Sequence, residues 1–376
     1  MSPVFFLINS LAGGGAERVL TTLLRHSGDW CRRVEVHLVL IDDEPDAYPV
    51  PDGLVVHRLA AGPSLLSSQR AFARLARRHR PAAVLSFLTR ANLVNVMTSE
   101  LLGYRCVISE RTFTSRHLGQ GFSNRIARGL VRLLYPRADA VIAVADGVRT
   151  DLVETFRVDP AKVTTIPNPV DMAALRRLSE EPPGDLPPGP YLVGMGRLQP
   201  TKNFACLIRA FAASRFRGRL VIVGTGPDDE ALKALSADLG LRDRVVFTGF
   251  LNNPFPLLAR SAGYVLCSNT EGFPNALVEA MALGVPVLST DCPSGPSEIL
   301  NDQPHSTVTD LTEGKYGLLV PVGDPDRMAR GLDLLTTPVR EAEFRAKVVA
   351  GASRYSMEPT VERYWSVIAA GLPPTH

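Results

Sequence analysis

Two cations and two carboxylates are the residues best suited to chemistry. Arg197 and Lys202 stand in GMGRLQPTKN (194–203), a loop with no acid of its own just before a helical stretch. Two positive side chains there can neutralise a diphosphate leaving group as charge develops on its oxygens. Alone, the loop would read as a solvated basic turn. Its company is EGFPNALVEA (271–280), with Glu271 and Glu279 in the same half of the chain. Gly272 and Pro274 keep Glu271 out of a regular helix, whereas NALVEAMALG predicts a helix that carries Glu279 and ends at glycine. A retaining glycosidase holds its two carboxyl groups roughly 5 Å apart, and eight residues of helix rise about 12 Å. Acid plus nucleophile is therefore a poor description of this pair. Two grips describe it better: Glu279 on a hydroxyl pair such as a ribose, and Glu271 on a sugar hydroxyl. Backbone N–H groups after Phe273 and Asn275 add an anion-friendly helix start, to which Pro274 contributes no N–H.

GGGAER (13–18) follows the first apolar strand and opens a helix. Consecutive glycines let backbone N–H groups approach an anion at the positive end of that helix. The segment is not a P-loop, and Arg18 stands where a dinucleotide fingerprint needs its third glycine. A tight strand-to-helix turn is the competing explanation. No metal is expected. In GDPDR (323–327) Asp324 reads as an N-cap followed by Pro325 at the first helical position, not as half of a metal-binding Asp-x-Asp. The histidines lack ligand spacing. Only His117, near Arg111 and Arg116 in a glycine-rich loop, is a candidate for the site, against the alternative of a solvated loop residue.

The elements that must position these groups are short apolar strands alternating with amphipathic stretches, the pattern of parallel βα units. VFFLINS, VEVHLVLI, VVHRL, AAVLSF, CVISE, AVIAVA and VTTIPN read as strands of a first half. YLVGMGR, RLVIVGTG, VVFTGF, GYVLCS, PVLST and GLLVPVG read as strands of a second. SEEPPGDLPPGP (179–190) reads as an exposed linker between them. Two doubly wound α/β domains follow: 1–178, then the linker 179–190, then 191–355, with 356–376 a helix expected to cross back to the first domain. Ligands of such sheets bind outside the carboxyl ends of the strands, so the cleft between two domains is the expected site.

At 376 residues, 45% hydrophobic and 21% charged, the chain has the composition of a soluble protein of two domains. Its net charge of +3 is unevenly placed: 23 Lys+Arg face 18 Asp+Glu through residue 181, and 18 face 20 thereafter. Within residues 60–138, 13 arginines meet only Glu100 and Glu110, which favours an anionic partner. Arg70, Arg74, Arg77 and Arg78 share one helical face. In 123–137, Ile126, Leu130, Leu133 and Leu134 share another, opposite Arg125, Arg128 and Arg132. Such surfaces can lie on anionic lipid. A core-packed helix with a solvated arginine face is the alternative. Nucleic acid is not expected, because aromatic interleaving and recognition motifs are absent. Five scattered cysteines without C-x-x-C indicate neither disulfides nor zinc, and fit a reducing cytoplasm. The N-terminus reads as a first strand instead of a signal peptide. No apolar run reaches the roughly 18 residues of a transmembrane helix, so any membrane contact is expected to be peripheral.

Taken in order, the motifs resemble those of glycosyltransferase family 4, retaining enzymes of the GT-B fold. The likeness rests on the glycine turn Gly13–Gly15, Arg197 with Lys202, and Glu271 with Glu279. IPNPVD (166–171) and VGTGP (223–227) add to it, and it spans nearly the whole chain. GGAER, SER (109–111), EGFPNALVEAMA and DCPSGPSEIL (291–300) are similar to those of bacterial transferases that build capsular, O-antigen or other lipid-linked glycans. VADGV (144–148) departs from the family, which more often has serine there; Asp146 is expected to cap the helix instead.

The resemblance implies that Arg197 and Lys202 hold a diphosphate, Glu271 the donor sugar and Glu279 the ribose. FTGFLN (247–252), with Phe250 and Leu251, would frame the base. Gly14, Gly15, Gly196, Gly226, Phe273, Pro274, Asn275 and Ala276 complete the implied donor-binding set. Ser109, Glu110, Arg111 and His117 would face the acceptor. The implied reaction moves a hexose or N-acetylhexosamine from a UDP-sugar to a lipid-linked glycan precursor with retention, without metal or cofactor, at the cytoplasmic face of a membrane. Two rivals remain at this stage. One is a UDP-sugar epimerase on the same architecture. The other is a non-catalytic glycan-assembly subunit that binds lipid and partner enzymes.

Overall fold

The computed structural model describes residues 2–118, 121–184, 186–303 and 308–370. Runs of Val, Ile and Leu, covered by helices on both faces, form parallel strands for the reason that such sheets are buried throughout. Seven make the first sheet: β1 (Val4–Ile8), β2 (Val36–Leu40), β3 (Val55–Arg58), β4 (Ala83–Phe87), β5 (Arg105–Glu110), β6 (Ala140–Ala143) and β7 (Val163–Thr165). Their spatial order is β3-β2-β1-β4-β5-β6-β7, and every pairing is parallel. The second sheet contains β8 (Tyr191–Met195), β9 (Arg219–Val223), β10 (Val245–Gly249), β11 (Gly263–Leu266), β12 (Val287–Thr290), β13 (Thr312–Glu313) and β14 (Leu318–Val320). Its order is β10-β9-β8-β11-β12-β14-β13, parallel except for β13 against β14. Each sheet is Rossmann-like, and each reverses its winding once, between β1 and β4 or between β8 and β11. Those reversals open a crevice at the strands' carboxyl ends. The antiparallel β13 was not foreseen, since two residues carry no alternation to read.

Two compact units result. One is the chain up to Pro169 together with the segment from Met357; the other is Val170–Ser356. The crossing therefore falls at Pro169, earlier than the expected boundary at 178. Asp171 caps the helix Met172–Ser179 by accepting from the Ala174 N–H (2.9 Å), and Leu175 is buried. That helix packs on helices Phe255–Ala259 and Asn275–Ala282, so the Pro-rich 179–190 stretch lies within the second unit. Asp185 of that stretch, and 371–376 of the tail, lie outside the described residues.

Helix Met357–Ala369 belongs to the first unit. Val361, Tyr364, Trp365 and Ile368 fall on one stripe at helical spacing and join a core with Phe6, Leu38 and Leu85. Trp365 stacks on Trp30 (5.1 Å between centroids) and donates from Nε1 to Ser27 Oγ (2.8 Å).

The two basic helices differ. In Leu65–His79, Phe72, Ala73 and Ala76 are buried while Arg70, Arg74, Arg77 and Arg78 are exposed. In Phe122–Leu134, Val131 and Leu134 are buried, but Ile126 and Leu133 are 52% and 55% exposed. Only one edge of that expected apolar face meets the core. Among the described residues, no helix is long and apolar enough to cross a membrane. Asp146 does not cap its helix; it accepts instead from Thr165 Oγ1 (2.6 Å), with Ala145 at the N-cap.

Candidate functional site

In the second unit, the loops that follow β8 and β11 flank the point where the sheet reverses. They are stitched together. The Asn269 N–H donates to the Thr201 carbonyl (2.8 Å), and Asn203 Nδ2 to Asn269 Oδ1 (2.9 Å). Cys267 Sγ donates to the Lys202 carbonyl (3.0 Å). Asn203 adopts a left-handed conformation (φ +51°) and caps helix Phe204–Ala213 by accepting from the Cys206 N–H. The result aims Lys202 Nζ at Glu271 Oε1, 2.5 Å away, and Ser268 Oγ donates to the same oxygen (2.6 Å). Burial opposes the Lys202 charge, but Glu271 outweighs it and holds the ammonium above the usual lysine range. Arg197 is exposed, and no hydrogen bond or ion pair to it is present among the described residues. One fixed cation–carboxylate pair and one free guanidinium thus share the β8 side of the crevice.

The EGFPN turn is held from behind. Ser294 Oγ donates to the Gly272 carbonyl (2.8 Å), and Gly295 (φ +94°) leaves room where a Cβ would press on Pro274. Phe273 is buried edge-on against Tyr355 (5.2 Å), so its side chain is a core anchor and only its backbone remains for a ligand. Pro274 is the N-cap of helix Asn275–Ala282, which has no side-chain cap; Asn275 and Ala276 are half-buried at its start. Glu279 lies on the next turn and is 6% exposed. Both carboxylates bear on the buried Tyr264 phenol. Burial first, then the charges of Glu271, Cys267 and Glu279, push its pKa up.

The loops after β8 and β9 run against each other: the Gly196 N–H donates to Val223 O (3.0 Å) and the Leu198 N–H to Thr225 O (2.9 Å). A Cβ on Gly226 would collide with the Leu198 carbonyl, and one on Gly224 (φ +137°) with that of Gly196. Gly226, expected at the donor, therefore serves the close approach of two backbones. Gly196 packs beside the Lys202 stem. At the end of β10, Phe250 is 73% exposed and Leu251 half-buried.

The first unit corrects two expectations. Gly14 is the N-cap of helix Gly15–Arg25, and Gly15 is exposed, but the helix start is covered from within. The Glu17 carboxylate folds back over Gly14, where an added Cβ would meet its oxygens; burial chiefly raises its pKa, against the pull of the N–H groups of Glu17 and Gly14. Any anion there must displace it. Ser109, Glu110 and Arg111 are not available to an acceptor: β5 lies inside the sheet, and all three are buried. Glu110 accepts from the N–H groups of Arg111 (3.0 Å) and Thr112 (3.2 Å) and from the Tyr135 hydroxyl (2.7 Å). Arg111 donates to Tyr364 Oη (2.5 Å) and to Asn168 Oδ1, over the Phe87 ring. Of that set only His117 is exposed. Asp324 does cap helix Pro325–Leu335, accepting from the Arg327 N–H (2.8 Å), and its other oxygen pairs with the Arg327 side chain.

Sequence reasoning missed Ser268, the Asn203–Asn269 pair and Glu17. Ser268 was readable, three residues before Glu271 on the same loop. The asparagine pair joins positions 66 apart and leaves no local signal.

Comparison with known proteins gives a consistent picture. The family described as Glycosyltransferase Family 4 matches residues 13–174, and that described as Glycosyl transferases group 1 matches 189–337. The N-acetylgalactosamine-N,N'-diacetylbacillosaminyl-diphospho-undecaprenol 4-alpha-N-acetylgalactosaminyltransferase of Campylobacter jejuni is 31% identical over 345 residues, covering 88% of this chain and 89% of that one. The lipopolysaccharide 1,6-galactosyltransferase of Salmonella typhimurium is 29% identical over 236 residues, covering 61% and 59%. The structure of Anabaena Alr3699/HepE in complex with UDP and glucose has a TM-score of 0.78 at 19% identity, covering 98% of this chain and 100% of that one.

Proposed function

The chain belongs to glycosyltransferase family 4 and has the GT-B fold, and from that premise we propose that it moves a hexose or N-acetylhexosamine from a UDP-sugar to a lipid-linked glycan precursor with retention. The observation that carries this reading is the 2.5 Å Lys202–Glu271 contact at the sheet's reversal, with Arg197, on the same loop as Lys202, exposed and unpaired among the described residues. Arg197 and Lys202 hold the diphosphate and stabilise it as it departs, in place of a metal. Glu271, already oriented by Ser268, grips the donor sugar. Glu279, whose burial restricts it to a ligand that reaches the helix, takes the ribose. Phe250, an exposed ring at a strand end, frames the base by stacking. Because Lys202 and Ser268 already hold Glu271, it grips the sugar and is not assigned as a covalent nucleophile; the acceptor attacks the donor's front face, and a leaving phosphate oxygen takes its proton.

The acceptor is assigned to the first unit, with a lipid carrier as its anchor. The Campylobacter relative is named for a diphospho-undecaprenol acceptor. On helix Phe122–Leu134, exposed Ile126 and Leu133 lie beside exposed Arg125 and Arg132, a combination suited to an anionic membrane surface. His117 precedes that helix and is the residue left to meet the acceptor.

The test is a panel of UDP- and GDP-sugars with short lipid-pyrophosphate glycans as acceptors, scored by product mass. Glycan gain from one UDP-sugar is expected. Isomerised donor without acceptor would indicate an epimerase instead, and lipid binding without UDP release a non-catalytic subunit.

A further inference from the structure

Three histidines from three elements meet at the β3 edge of the first sheet. His37 lies on β2, His57 on β3, and His79 ends helix Leu65–His79. Their linear separations hide this, but the register explains it. Phe5 pairs with His37, and Val39 with His57, so Phe5, His37, Val39 and His57 project to one face. The helix covers that face with Phe72 and Ala76, and His79 follows Ala76 by one turn. Each histidine offers one ring nitrogen, and all three lie within 4.8 Å of one another. His57 Nε2 is 3.0 Å from His37 Nδ1, and Glu35 Oε1 is 2.8 Å from His37 Nε2. His37 is buried (2% exposed); the other two are half-buried.

We propose that His37, His57 and His79 bind a zinc ion that clips the edge strand β3 to β2 and to the helix end. The Glu35 carboxylate takes the Nε2–H of His37, which leaves the Nδ1 lone pair toward the other rings. Metal-ligating histidines are oriented in this way by an outer carboxylate. Tetrahedral zinc, with Zn–N near 2.0–2.1 Å, places its ligand nitrogens roughly 3.3 Å apart. The 3.0 Å spacing of His37 and His57 is close to that value, and His79 has to draw in. Metal entry replaces the hydrogen bond from His57 Nε2 to His37 Nδ1, and His57 then keeps its proton on Nδ1. Water fills the fourth position on the open side. Three imidazoles suit zinc and reject magnesium and calcium, which require oxygen ligands. His37 is the second residue of β2, and His79 ends the helix that returns to the amino end of β4, away from the carboxyl ends where ligand sites form, so the clip serves the fold and not the transfer. An edge strand whose Val55 and Val56 are 43% and 36% exposed has need of one.

The untagged full-length chain, stripped with chelator, is titrated with zinc chloride by calorimetry, with magnesium chloride in parallel. Uptake of one zinc per chain is expected, with a rise in Tm of about 5 °C or more at saturation and no response to magnesium. His57→Asn and His79→Gln, each checked for an unchanged circular dichroism spectrum, weaken zinc binding roughly tenfold or more. Cobalt(II) in place of zinc gives the intense visible absorption of four-coordination. No stoichiometric zinc uptake by the wild type, or uptake unchanged in both variants, overturns the proposal: the histidines are then only a hydrogen-bonded cluster.

Discussion

Lys202 keeps its proton against burial because Glu271 is 2.5 Å away. Its folded pKa is raised, so the stabilising contribution is complete below the unfolded lysine value of about 10.4 and is lost only as pH rises through the higher folded value. A kcat/KM profile should therefore show no alkaline limb from this residue below about pH 10. Glu271→Gln removes the counter-charge, leaves burial unopposed, and should move such a limb to lower pH. An unmoved profile would deny the coupling. At this scale the sequence was informative where charge stands in a loop: Lys202 and Glu271, read from segments 69 residues apart, do meet. It misled where a polar triplet ends a strand. Ser109, Glu110 and Arg111 looked available, yet Asn168 and Tyr364 reach Arg111 from 57 and 253 residues away. Those distances are invisible to local pattern.

The loops after β8 and β9 act as one element, and their glycines are the reason. Gly226→Ala puts a methyl against the Leu198 carbonyl. Overpacking of this kind costs about 1–3 kcal/mol, or a fall in Tm of roughly 3–10 °C for a unit of this size. Because Leu198 follows Arg197, transfer should fall as well. Gly184→Ala, where nothing lies within 4 Å, is the control and should change neither. Differential scanning calorimetry with a parallel turnover assay reads both. Strand existence was legible throughout the parallel sheets, because buried strands are continuous apolar runs. The two-residue β13 was not. The Pro-rich 179–190 stretch was correctly irregular but wrongly a boundary: proline and glycine mark where chain leaves regular structure, not which core its neighbours join. Asp171 and Leu175 decided that.

At the scale of the molecule, the first core is completed by the end of the chain. The tail's aromatic stripe announced packing, and the structure puts Trp365 at 1% exposure in that core. Truncating such a residue typically costs about 3–5 kcal/mol. Trp30 and Trp365 are the chain's two tryptophans and both lie in the first unit, so fluorescence reports that unit alone. Trp365→Ala should lower the transition followed by the remaining tryptophan by roughly 6 °C or more, while the second unit, where the nucleotide is assigned, still binds UDP. Loss of UDP binding in that variant would contradict the division of labour. The central claim, that Arg197 and Lys202 meet a nucleotide's diphosphate, is tested most directly by calorimetric affinities for UDP and for uridine. In Arg197→Ala and Lys202→Met, UDP affinity should fall roughly tenfold or more, the worth of a lost charge-assisted contact, while uridine affinity stays within about twofold. Equal losses for both ligands, or none for UDP, would contradict the account.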